Sequence, residues 1–410
     1  MKAHKFWAAA GTTLAAAIVA FILIAALAPD AGAASKYRTL YRFKGGTNGS
    51  GPSGLIFDAA GNLYGTTQSG GAYGAGTVFK LDRTGKKTVL HSFGAGYGAI
   101  PDPYQTLVFD AAGNLYGTTV SGGATGRGTA FELDTSGTEI TLYSFCISAQ
   151  FPCVDGASPT AGLLFDQTGA LYGTTWLGGD QYVGVVFKLT SDGQGNWSET
   201  VLHSFEISDG DQPIGGLVWD TSHTNFYGTT MTDPPNGWGN VFEMDTTGTE
   251  TVLHSFLDPT EGVQPYKPPS FDATGNLYGT DGYGGNPSCP GPFGNGCGTV
   301  WKLDTDGSLT VLHAFTGGKD GSTPFSGLTF DQSGNFYGMT SAGGAYGYGV
   351  VFKGTVGQDG KVKMTILHSF ANRPGAYPCS NLIIDTSGNL YGTTQGDGVT
   401  TFGSVFEITP

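Results

Sequence analysis

Five of the seven histidines, His91, His203, His254, His313 and His368, each stand two residues before a phenylalanine. Imidazoles at a fixed spacing are the material of metal sites and of acid–base catalysis. Here Tyr41 and Tyr143 fill the same slot in two further copies of the phrase. Tyrosine can replace histidine as a flat ring with a polar tip, but not as a ligand of the same type, so the slot reads as structural. His223, outside the slot, falls in a short turn. Carboxylates offer a second chemistry. Asp58, Asp110, Asp166, Asp220, Asp272, Asp331 and Asp385 recur, each before a turn, and most of these turns contain glycine. Aspartate there caps backbone N–H groups. A further eleven acids, among them Asp155, Asp180, Asp209, Glu261 and Asp320, scatter through longer connections and single out no pair of the kind that cleaves glycosides. Asp281 deviates most, because it replaces the second threonine of a repeated Tyr-Gly-Thr-Thr phrase. The segment 192–196 has a weak likeness to a calcium loop without its terminal glutamate. Structural calcium is thus the one ion the sequence raises; no cofactor, metal site or catalytic residue is assigned.

The remaining reactive groups are five cysteines. Cys146 and Cys153 are seven residues apart, Cys289 and Cys297 eight apart, and Cys379 is left over. Neither pair has zinc-finger spacing with histidine partners, so each reads as a local disulfide that staples a loop, with Cys379 a buried inert thiol or, as the alternative, a reactive or intermolecular one. The same connections carry aromatic residues outside any repeated phrase. Tyr104, Trp176, Tyr182, Trp238, Tyr266 and Tyr283, with Asp281, are the candidate ligand-binding residues. Flat rings lie against sugar C–H faces, and neighbouring acids and amides hydrogen-bond to hydroxyls.

These groups must be positioned by a repeated unit. The Tyr-Gly-Thr-Thr phrase or a near copy begins at Tyr64, Tyr116, Tyr172, Tyr227, Tyr278, Tyr337 and Tyr391. Each copy contains four short segments of strand character, as in 54–58, 62–67, 77–82 and 88–93. Glycine-containing turns separate the first from the second and the third from the fourth. Four strands repeated seven times predict an all-β fold, a seven-bladed β-propeller of four-stranded blades. A fourth-strand phrase at 39–43 precedes the first complete unit, and the last unit stops at its third strand. The N-terminal strand is therefore expected to complete the seventh blade and close the ring 3 + 1. The tight turns then share one face. The long connections, with all the cysteines, share the other.

The phrases FDAAGNLYGTT, GTVFKLD and TVLHSF resemble the repeat of the bacterial choice-of-anchor tandem repeat GloVer-containing proteins, over nearly all of residues 37–410. That resemblance implies a repeat protein of propeller type and carries no reaction with it. The layout is also similar, at the level of fold, to NHL-type propellers.

Residues 1–33 read as a signal peptide: Lys2 and Lys5, an uncharged stretch from Phe6 to Leu27, and the small-residue run Ala31-Gly32-Ala33. The stretch is long enough for a retained anchor, the alternative to cleavage. Cleavage after Ala33 predicts a mature chain of residues 34–410, one propeller domain without a membrane span, and takes the net charge from −14 to −15. That charge excludes a basic nucleic-acid binder. Glycine is 70 of 410 residues, and there is no Gly-X-Y period, so collagen is excluded too. The expectation is a secreted, periplasmic or cell-surface bacterial protein. It leans away from catalysis and binds a glycan, peptide or cell-envelope partner through its long-loop face. A propeller hydrolase or lyase acting on a polysaccharide, ester or lactone is the alternative.

Overall fold

The structure is a computed structural model that describes residues 35–94, 106–148, 151–232, 237–290, 296–373, 375–396 and 402–410. Residues 1–33 and Tyr104 lie outside these. Seven antiparallel sheets form the molecule, and each is one blade. Blade 2 shows the pattern: Val108–Phe109 innermost, then Leu115–Thr119, Thr129–Leu133 and Glu139–Ser144 outermost. The second strand is buried at every position because blades flank it on both faces, while the outer strand is half open to solvent.

Closure is as the sequence predicts. Lys36–Arg42 pairs with Ser404–Thr409, from Lys36 against Thr409 to Arg42 against Ser404, and supplies the fourth strand of blade 7. Blade 5 departs from the pattern. Its inner strand splits into Val263–Pro265 and Ser270–Phe271 around Lys267-Pro268-Pro269, where two prolines remove the donors a continuous ladder needs.

The repeated phenylalanines join blade to blade. Phe43, Phe93, Phe145, Phe205, Phe256, Phe315 and Phe370 are all buried. Each ring meets the third-strand ring of the next blade, from Phe43 on Phe79 round to Phe370 on Phe406, at 4.9–5.7 Å between centroids. The glycine after each repeat tyrosine makes room for that ring. A Cβ on Gly173 would lie 2.5 Å from the Phe187 ring, inside any tolerable contact. Truncating one such phenylalanine to alanine removes about 3–5 kcal/mol.

The recurring aspartates do what turn chemistry requires. Asp58 Oδ1 accepts from the N–H groups of Ala60 and Asn62, and Oδ2 from Asn62 Nδ2 and the Tyr64 hydroxyl. Burial alone would raise the Asp58 pKa; these donors bring it below the ordinary value. Asp192 belongs to the same class of turn. Its carboxylate accepts from Gln194 N, Asn196 N and Asn196 Nδ2 in a hairpin on the tight-turn face, so these oxygens cap a turn.

One irregularity was not legible beforehand. In every blade the outer strand bulges just before its His or Tyr: Val78 pairs with His91 but Phe79 with Val89, leaving Leu90 extra. The bulge reverses the side-chain alternation. The His or Tyr therefore faces the next blade, while the residue four before it faces the preceding one.

Candidate binding face

The long connections are clamped to their blades before any ligand is considered. In blade 3, Thr175 Oγ1 donates to Leu177 O and accepts from Val185 N, which closes loop 176–184 at its base. Ala157 and Leu177 exchange two backbone hydrogen bonds, of 2.7 and 3.0 Å, so the loop before the blade is tied to the loop inside it. The same cross-loop bridge recurs at Asp211–Thr232, Ser322–Ala342 and Ala376–Gly396. Side chains on this face therefore sit on a rigid support.

Both expected disulfides are present, Cys146–Cys153 and Cys289–Cys297, and Cys379 is buried outside them. The first staples the loop that leads into blade 3. Around it lie Ile147, Phe151 and Val154, all exposed, Phe151 at 77%. Tyr182 reaches over from the opposite loop with its ring 4.6 Å from that of Phe151. Trp176, at the start of the same loop as Tyr182, is 39% exposed. Beneath this patch Asp155 is buried and accepts from the Tyr143 hydroxyl and from Ile147 N, both at 2.9 Å. Burial, then the charge of Asp155, pushes the neighbouring Glu199 up to about 7.

Of the residues expected to bind, Trp176 and Tyr182 thus flank one loop of blade 3. Tyr266, Tyr283 and Asp281 all belong to blade 5, where Tyr283 and Asp281 are buried and Tyr266 is half-buried. Phe325 lies between the two tyrosines, at 4.4 Å from Tyr266 and 5.8 Å from Tyr283, and Tyr283 is buried. Asp281 is completely buried, and its carboxylate accepts from the Thr299 hydroxyl. It stands where the other blades use threonine, and its blade also has Trp301 where the others have phenylalanine. Burial drives the Asp281 pKa well up, and the Thr299 hydroxyl and the Trp301 indole oppose that rise. The deviant acid and the deviant ring thus meet in the interior of one blade, with Asp281 Oδ1 and Trp301 Nε1 left without a hydrogen-bond partner among the described residues. Trp238 packs against the hydrophobic core between blades 4 and 5.

Sequence reasoning missed Ile147, Phe151 and Val154, which carry no repeat signal of their own; their place inside a Cys-to-Pro insertion was the available clue. It also missed that His203, Asp209 and Glu250 come together, the one group of three His or carboxylate residues among the described residues close enough to share an ion. The axis offers little room. A cavity of about 240 Å³ lined by inner-strand residues such as Leu107, Leu163, Leu217 and Lys267 is below the usual size of a ligand pocket. A larger polar groove between blades 7 and 1, about 470 Å³, is walled by turn-capping aspartates and the Arg38–Glu407 ion pair.

Comparison with known proteins places the chain. The model of the Gloeobacter/Verrucomicrobia repeat matches residues 24–153, 99–291 and 287–410. Among curated proteins none matches in sequence. Of solved structures, the extracellular domain of a candidate one component system from B. thetaiotaomicron is similar at TM-score 0.54 and 11% identity, over 90% of this chain and 40% of that one. A puromycin hydrolase complexed with PGG is similar at TM-score 0.52 and 12% identity, over 85% of this chain and 51% of that one. The periplasmic gluconolactonase of Pseudomonas aeruginosa gives TM-score 0.45 and 15% identity, over 77% of this chain and 84% of that one. The chain thus spans about half or less of the first two, and at these identities the likeness is one of fold.

Proposed function

We propose, on the premise that this chain belongs to the Gloeobacter/Verrucomicrobia repeat family, that it is a secreted or extracellular propeller which binds a peptide, glycan or cell-envelope partner through its long-loop face. Two disulfides support the compartment, since such bonds persist where the surroundings oxidise. One observation carries the binding face. Among the described residues, nine of the thirteen exposed large hydrophobic side chains stand on the long connections: Tyr73, Ile147, Phe151, Val154, Trp176, Ile207, Leu257, Tyr346 and Tyr377. Leaving apolar groups in water has a cost that a partner removes. The densest group surrounds the Cys146–Cys153 staple. It mixes aliphatic with aromatic chains, which favours an apolar peptide segment of an envelope protein over a sugar, because a sugar face gains most from flat rings.

The test is a screen of the purified chain on peptide and glycan arrays, repeated with Phe151→Ser and Trp176→Ala. Peptide hits should weaken by about 1–3 kcal/mol in each variant, the loss of an interface anchor, at an unchanged melting temperature. Glycan hits lost in Trp176→Ala would move the partner to sugars. Ligands bound equally by parent and both variants would end the assignment to this patch.

A further inference from the structure

Outer strands of neighbouring blades meet at seven junctions, and the repeat makes these junctions comparable slot by slot. The His or Tyr of one blade faces the next, and the residue four before the corresponding slot of the next blade faces back. Lys87 thus lies over Tyr41, with Nζ 5.9 Å from the ring centroid, and Tyr37 stacks on His368 at 4.0 Å. A third group enters from the connection between the blades. At three junctions it is a carboxylate on the histidine: His203 Nε2 to Asp209 Oδ2 at 3.1 Å, His254 to Glu261 at 3.3 Å, and His313 to Asp320 at 3.1 Å. The facing slot decides what each pair becomes. Opposite His254 and His313 it holds Leu309 and Met364, which can ligate no hard or borderline ion. Opposite His203 it holds Glu250, and one ligand atom from each of the three residues lies within 4.8 Å of the others.

We propose that His203, Asp209 and Glu250 form a binding site for a divalent first-row transition ion, with zinc as the representative. One imidazole nitrogen and two carboxylates suit such an ion, and three protein ligands leave a position for water. Two negative charges and a neutral imidazole are balanced by one doubly charged cation. All three side chains are partly buried, so the ion can enter from solvent. The three ligands are also held in place independently. Asp209 Oδ1 accepts from Glu206 N at 2.7 Å, and its carbonyl accepts from Asn240 Nδ2 at 2.6 Å. His203 is braced edge-on against Phe205 at 4.8 Å. The hairpin that leads into Glu250 is pressed against the strand of His203, where a Cβ on Gly248 would lie 2.1 Å from Leu202 O.

The experiment is calorimetric titration of the purified, chelator-stripped full chain with zinc and, in parallel, with manganese. One equivalent should bind, and Glu250→Leu and His203→Tyr should each weaken it by about tenfold or more. Both variants copy residues that equivalent junctions already accommodate, so folding is preserved, and the melting temperature of the metal-free protein checks this. His254→Tyr should leave binding as it is. Leu309→Glu should add a second equivalent by completing the His254–Glu261 junction. The proposal is overturned if neither ion binds, or if the bound equivalent survives Glu250→Leu and His203→Tyr.

Discussion

The closure of the ring yields a sharp quantitative test, because Phe43 and Phe93 occupy the same slot on opposite sides of the chain terminus problem. Phe93 belongs to an ordinary blade whose four strands are consecutive, whereas Phe43 follows a strand that must travel from the N-terminus to the last blade. The two rings are in matching surroundings. Phe43 meets Phe79 at 5.2 Å and 72°, and Phe93 meets Phe131 at 5.2 Å and 69°. Both are buried, at 4% and 0% exposure. Truncation of either to alanine should therefore cost about 3–5 kcal/mol. With an unfolding entropy of about 2.1 cal/mol/K per residue, a ring of this size changes stability by roughly 0.8 kcal/mol per degree near its midpoint. Each variant should then melt about 4–6 °C below the parent by scanning calorimetry. Deleting residues 34–44 should cost more than Phe43→Ala, since the ladder with Ser404–Thr409 and the Tyr37 stack are lost as well. A Phe43→Ala protein that melts within a degree of the parent, beside a Phe93→Ala protein that drops as expected, would refute the 3 + 1 closure.

Three other outcomes follow from the interior. Asp281→Thr with Trp301→Phe restores the composition of the other blades, so the double variant should be more stable than either single one, with a coupling of about 0.5–3 kcal/mol in a double-mutant cycle; additive effects would dissolve the pair. Glu199 has a folded pKa of about 7, above its unfolded value, so the folded state gains stability as pH falls from about 7 toward 4.5 and carries the full penalty above 7. Glu199→Gln should therefore stabilise by about 1–2 kcal/mol at pH 8, after allowance for its partial exposure, and by almost nothing near pH 4.5; an equal gain in melting temperature at both pH values would contradict the burial argument. Mass spectrometry of the unreduced chain should show Cys146–Cys153 and Cys289–Cys297 linked. Reduction should cost only about 2–3 kcal/mol for each short loop and leave the far-UV spectrum intact; loss of the sheet signal on reduction would show the staples to be part of the core.

What could be read from the sequence was whatever each blade needs seven times. Phe93 and its six counterparts, the Asp58 class of turns and the stray strand at 39–43 are repeated demands of one architecture, so a single chain supplies its own comparison. The Cys pairs were legible for a different reason, because seven- and eight-residue spacings leave few other partners within a loop. Burial was not legible. Asp281, Tyr266 and Tyr283 look like loop residues by position, yet the split inner strand of blade 5 turns them inward against Phe325 and Trp301. Nor were the partners of His203. They come from a connection and from the next blade, and only the outer-strand bulge, which has no residue signature of its own, makes Glu250 face that histidine.

The same internal comparison shows where the fold tolerates local cost. In blades 2 and 4 the first threonine of the repeat phrase is satisfied by the following blade: Thr118 donates to Ala161 O, and Thr229 to Lys267 O. In blade 3 the equivalent Thr174 hydroxyl is buried with no hydrogen-bond partner, as are one oxygen each of Asp155 and Glu199. Each orphaned buried polar group costs on the order of 1–3 kcal/mol, and six sister blades demonstrate that this architecture has a satisfied solution for the threonine slot or dispenses with it, as Met339 does in blade 6. Other blades keep orphaned groups as well, such as Asp281 Oδ1 and the Trp301 indole in blade 5, but blade 3 combines them with exposed Trp176 and contributes His203 to the carboxylates beyond it. Departures of this kind gather where a protein answers to something other than folding, which is the physical reason for seeking both the partner and the ion at blade 3 before any other part of the ring.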